Sequence, residues 1–167
     1  MLFRSLGEEV GCVGSKKVAA KHKKEPIEYI KKVISFDRRG TDSVITHQSY
    51  QRCASDNFSN KLANALNVAD NDFNYKLDDT GVCTDSLKFI EIYPECTNIS
   101  VGYYNEHTYS EKQDLHHLQK LGEALIKIDF ESLPYERDLT KKEYKQYKYR
   151  SEEHTSELQS PCNLVCR

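Results

Sequence analysis

Four residues have types and positions that suit metal chemistry: the adjacent Glu8 and Glu9, then Asp37, then His107. Each follows a short apolar segment that reads as a strand, and ligands of open α/β sheets bind beyond the carboxy ends of strands. Carboxylate and imidazole together suit zinc, with cobalt or manganese as substitutes. Taken singly, each residue has an ordinary reading. A Glu-Glu pair is most often solvated charge, an Asp after a strand caps or turns the chain, and a His there is commonly a hydrogen-bonded structural residue. Their coincidence at three strand ends is the main clue.

The elements that must position them follow from pattern and breakers. MLFRSLGEEVGCVGS suits a strand ending in a loop that feeds a helix over residues 15–30, ending near Glu25 because Pro26 interrupts it. VISF at 33–36 is continuously apolar, as expected of a strand buried on both faces, and runs straight into Asp37. SVITHQ gives a second β-branched segment, and Asp56 is placed to cap NFSNKLANALNVA, where Phe58, Leu62, Ala65 and Leu66 recur at helical spacing. Residues 71–86 read as a polar loop across one end of the sheet, with a short helix at 86–91. TNISVGYY is the last strand and delivers NEHT, with His107, at its end. Asp114 then caps a helix whose expected apolar stripe is Leu115, Leu118, Leu121, Leu125 and Ile128. Strands alternating with helices predict an α/β fold, a three-layer sandwich around a mostly parallel central sheet.

A chain of 167 residues with 38% apolar content fits one domain. Net charge of -2 with both signs mixed gives no field that would argue for nucleic acid or an anionic membrane. No long apolar run or secretory leader is present, which points to a soluble, cytoplasmic protein. Cys12, Cys53, Cys83 and Cys96 are widely spaced and read as reduced core thiols. Among the remaining histidines, His47 reads as a satisfied loop residue, His116 and His117 as surface or packing residues, and His22 as solvated within its lysine-rich helix. The segment from Arg150, RSEEHTSELQSPCNLVCR, resembles a translated sequencing-library adapter, so residues 150–167 are set apart from the fold and residues 1–149 are taken as the native part.

GEEVGCVGS, ISFDRRGT, GVCTDS and ISVGYYNEHT occur in the order found in di-zinc exopeptidases: zinc aminopeptidases, glutamate carboxypeptidase-like enzymes and deacylases. The resemblance covers most of residues 1–130. It implies Glu8 as general base, Glu9 and His107 as ligands of one zinc, and Asp37 as a ligand of the other. Two zinc ions would share a water, lower its pKa and polarise the scissile carbonyl of a peptide or N-acyl amino-acid substrate. Asp85 in GVCTDS takes no ligand role and is expected to shape a loop near the site. The family pattern also has a His-x-Asp element and a bridging Asp upstream of the Glu pair. The resemblance therefore implies a domain shortened at its amino-terminal side, binding zinc weakly and inactive by itself. Aminopeptidase, carboxypeptidase and deacylase specificities stay open, as does oligomeric state. A second reading is a catalytically dead relative or a binding module, with nucleic acid reached through the Lys- and Tyr-rich KKEYKQYKY, although KKVAAKHKK lacks interleaved aromatics and argues against it.

Overall fold

The computed structural model describes residues 11–145. The opening strand expected before Glu8 and the adapter-like tail lie outside them. Helix α1 (Val13–Lys24) begins where Cys12 turns left-handed at φ 59° and stops just before Pro26. Its buried stripe is Ser15, Ala19 and His22, spaced by four and three residues. His22 is therefore not solvated: it packs edge-on to Phe89 and Tyr93, and the Tyr93 hydroxyl lies 2.8 Å from Nδ1.

Strands β1 (Lys32–Arg39), β2 (Ser43–Ile45), β5 (Lys76–Asp78) and β6 (Glu95–Tyr104) form the central sheet in the order β1-β6-β2-β5. The β1–β6 and β2–β5 ladders are parallel; β2 meets β6 antiparallel only at Val44 and Ile99. A short β7 (Lys112–Gln113) pairs with the end of β6. A separate hairpin joins β3 (His47–Gln48) to β4 (Gln51–Arg52) through Ser49 and Tyr50, both left-handed. Two expectations change here. Among the described residues β1 is an edge strand and only half-buried, with Phe36 48% exposed, because a ladder covers it on one side only. The stretch 71–86 is not all loop, since Lys76–Asp78 adds a strand beside β2.

From Glu95 to Gly102 every residue of β6 is buried, and because successive side chains alternate, both faces of the strand are covered. Helix α2 (Asp56–Ala69) packs against β2, β5 and helix α3 (Leu115–Lys127), while α3 also packs on β6. A 3₁₀ helix (Asp85–Phe89) sits between α1 and the β1–β6 pair. This is the three-layer α/β arrangement that the alternation of elements predicts. The cap of α2 is Ser55 rather than Asp56, its hydroxyl accepting from the Phe58 amide at 3.2 Å. Asp114 caps α3 as expected, accepting from the His117 amide at 2.9 Å. Of the expected stripe of α3, Leu121 is buried and Leu125 and Ile128 pack partly buried against the core, but Leu115 and Leu118 are exposed and His117 and Ala124 complete the buried face. Of the four cysteines among the described residues, Cys12, Cys53 and Cys96 are buried and Cys83 is exposed.

Gly102 is needed where it stands. It has φ 82°, and a Cβ there would press at about 3.1 Å on Asp114, whose amide donates to the Gly102 carbonyl at 2.7 Å. The start of α3 is thereby clamped to the end of β6, just ahead of the turn that carries His107.

Candidate metal centre

Asp37 belongs to an irregularity near the end of β1. Phe36 pairs with Ile99 and Arg38 with Ser100, so two residues of β1 advance against one of β6, and Asp37 is the extra residue of the bulge. Its amide donates to the side-chain carbonyl of Asn98 at 3.0 Å. The next residue, Arg38, turns back to Asp78 at 3.0 Å and to the Thr80 hydroxyl at 2.7 Å. Burial pulls the Asp78 carboxyl upward, but hydrogen bonds from Thr80, with Arg38 beside it, outweigh this and hold it below the usual carboxylate range.

His107 sits in a tight turn beyond β6, itself left-handed at φ 62° and following Asn105 at φ 55°. The Thr108 hydroxyl donates to the Asn105 carbonyl at 2.7 Å, the Asn105 amide group to the Ser110 carbonyl at 3.2 Å, and the His107 amide to the Glu111 carboxylate at 3.2 Å. These bonds offset the cost of placing non-glycine residues at positive φ. The ends of β1 and β6 that carry Asp37 and lead to His107 are stitched together. Gly40 donates to the Tyr103 carbonyl and Gly102 to the Gly40 carbonyl, each at 2.8 Å, and Arg39 pairs with Glu106 at 3.1 Å.

Asp37 and His107 line one cavity of about 370 Å³, together with Gly11, Cys12, Asn98 and the segment 81–84. Glu8 and Glu9 lie outside the described residues, and Gly11, which follows Glu9 at one residue's remove, lines the same cavity. Gly81 lets the GVCTDS loop form a wall, because a Cβ there would collide with the His47 carbonyl and the Ile45 side chain. Asp85 is not among the lining residues. His47 faces a different cavity, with Arg52 and Asp56, and its Nδ1 is 3.0 Å from the Thr46 hydroxyl. Burial, and then Arg52, hold its pKa below the ordinary value.

Sequence reasoning missed Asn98, Cys12, Cys83 and the Arg39–Glu106 pair as lining residues. For Asn98 a signal existed: an amide inside the otherwise apolar and hydroxylic run of a strand is out of place unless something bonds it. The others depend on tertiary placement. As a zinc site, the described donors fit in kind, a carboxylate and an imidazole at the ends of neighbouring parallel strands. In number they are two, and among the described residues no group of three or more His, Cys, Asp or Glu is gathered to hold an ion.

The sheet, the covering helices and the cavity at the strand ends define an α/β domain with its candidate site beyond the carboxy ends of paired parallel strands. The profile of Peptidase family M28 matches residues 2–155, and the chain belongs to that family. The match takes in Glu8 and Glu9, and its far end reaches into the adapter-like segment. Among solved structures the chain is similar to one described as "3-D structure of PhTET1-12s, dodecamer in the asymmetric unit", at 21% identity and a TM-score of 0.54. That alignment covers 73% of this chain and 39% of the other, so the chain spans well under half the length of that structure. At this identity the likeness bears on the fold. None of the curated proteins compared with the chain matches it. Among the described residues no helix is long and apolar enough to cross a membrane.

Proposed function

We propose that the chain is built for zinc-dependent exopeptidase chemistry, the hydrolysis of a terminal peptide bond or a related amide. The observation that carries this reading is the meeting of Asp37 and His107, far apart in sequence, in one cavity at the carboxy ends of the paired β1 and β6. Asp37 and His107 would hold metal from these two strand ends, with Glu9, two residues before the cavity-lining Gly11 in sequence, as a further ligand. Bound zinc supplies Lewis acidity and lowers the pKa of a water. Glu8 would take the proton of that water and pass it to the leaving amine. Residues 81–84 would form part of the wall beside the substrate.

These residues give one zinc two ligands and the other a single one, fewer than the three or four that zinc ordinarily takes. The expected behaviour of this chain is therefore weak zinc binding without measurable turnover. The residues 1–149 are the proposed peptidase part, and a soluble cytoplasmic setting and a peptide or N-acyl amino-acid substrate remain part of the proposal. Competition against a chromophoric chelator tests the site: Asp37→Ala and His107→Ala should each weaken zinc binding by tenfold or more. Zinc affinity indifferent to both substitutions would remove the basis for the reading.

A further inference from the structure

Asn98 occupies a position that neither strand propensity nor core packing explains. It is 3% exposed in the middle of β6, and a buried amide is costly unless bonded. Its side-chain carbonyl accepts the amide of Asp37, the extra residue of the β1 bulge. A bulged residue is left without a regular ladder partner, so this bond satisfies a donor that the sheet does not. Asn98 and Asp37 also line the same cavity.

We infer that Asn98 is a positioning residue: by clamping the Asp37 amide it fixes the bulge and so aims the Asp37 carboxylate at the metal. The inference rests on the reading of Asp37 as a metal ligand. Slippage of β1 by one residue would turn Asp37 toward the other face of the sheet, since side chains alternate with a period of two. Arg38 supports the clamp from the far side of the bulge, its guanidinium held on Asp78 and Thr80. Asn98 reaches Asp37 through backbone, so its influence is on direction and order of the carboxylate, as for outer partners of metal ligands generally.

The test uses the full chain with Asn98→Ala and Asn98→Asp, and with Asn98→Leu, which fills similar space without an acceptor and carries the test should the alanine variant not fold. Two quantities are read at a temperature where circular dichroism shows each variant folded. The first is hydrogen exchange of the Asp37 amide without metal, and the second is zinc affinity by chelator competition. Removing the acceptor should speed exchange at Asp37 by about tenfold or more and weaken zinc binding by about 10- to 100-fold. Asn98→Asp keeps an acceptor oxygen in place and should retain slow exchange and bind zinc at least as tightly as the parent. Unchanged exchange, or faster exchange with unchanged zinc affinity, overturns the inference. Asp37→Ala separates it from the reading beneath: if that substitution leaves zinc affinity intact, Asp37 is no ligand, whereas a loss there without one in Asn98→Ala sinks the positioning role alone.

Discussion

The two ends of β6 carry polar residues of opposite character. At its start, Glu95 is fully buried, and its two oxygens accept from the Ser55 amide and hydroxyl at 2.7 and 2.9 Å and from the Glu136 and Arg137 amides at 2.8 and 3.3 Å. Beyond its finish, His107 is exposed in a left-handed turn, facing a cavity it shares with Asp37. A carboxylate that accepts four hydrogen bonds from the protein is a fastener, while the other end of the strand leads into a cavity wall. Both are polar groups at a strand end, and their surroundings tell them apart.

The sharpest test of that contrast is Glu95→Ala. It strands the amides of Ser55, Glu136 and Arg137 in a closed site, and each buried donor without a partner costs ~1–3 kcal/mol. Loss of about 3 kcal/mol or more is expected from urea unfolding, along with release of the 136–137 segment from the core. Zinc affinity at temperatures where the variant is folded should be unchanged. An effect on zinc as large as that of His107→Ala would break the division between the two ends.

A second contrast lies between two histidines. His117 on α3 is buried, with its Nε2 3.0 Å from the Tyr75 hydroxyl, which also donates to the Ser100 carbonyl at 2.7 Å. Burial, partly offset by Asp114, lowers its pKa from the ordinary 6.5. With the folded value depressed, the unfolded chain takes up the proton first. The contribution to stability is complete above about pH 6.5 and is lost as pH falls toward the folded value, by at most ~1.4 kcal/mol per pH unit. Urea midpoints should therefore decline below pH 6.5, and His117→Gln should flatten that slope while leaving zinc affinity unchanged, whereas His107→Gln should weaken zinc binding. A slope unaffected by His117→Gln would show that another group carries the acid sensitivity.

Much of this was legible in the sequence, for identifiable reasons. Pro26 set the end of α1, Asp114 marked the start of α3, and the apolar run before Asp37 located β1. Asp37 and His107 stood at strand ends, and the structure brings them into one cavity. What was not legible depends on neighbours. VISF looks doubly buried until its place at the edge of the described sheet is known. The apolar stripe of α3 was legible from Leu121 to Ile128, but at its first turn the helix held by Gly102 and Asp114 buries His117 and leaves Leu115 and Leu118 exposed. His22 carries no mark in its lysine-rich surroundings of the aromatic pocket that receives it. The bulge at Asp37 has no glycine of its own to announce it, and only the odd amide of Asn98 across the ladder gives it away.

The smallest expected effect comes from the pair that spans the site end, Arg39 and Glu106. Arg39 is 63% exposed and Glu106 27%, so in stability the pair is worth at most ~1 kcal/mol, screened by salt. Its position is more telling than its strength, because Arg39 follows Asp37 by two residues and Glu106 directly precedes His107. Reversing one charge, in Arg39→Glu or Glu106→Arg, sets like charges against each other between the end of β1 and the turn that carries His107. Each single variant should lower zinc affinity a few-fold while shifting the unfolding midpoint little, and the double reversal should restore most of the affinity. The same cycle repeated in high salt should shrink toward zero coupling. A double variant no better than either single one would mean that the loops keep their spacing through the Gly40–Tyr103 and Gly102–Gly40 backbone bonds alone. The cavity end of β6 would then be held as firmly by its backbone as the Glu95 end is by its carboxylate.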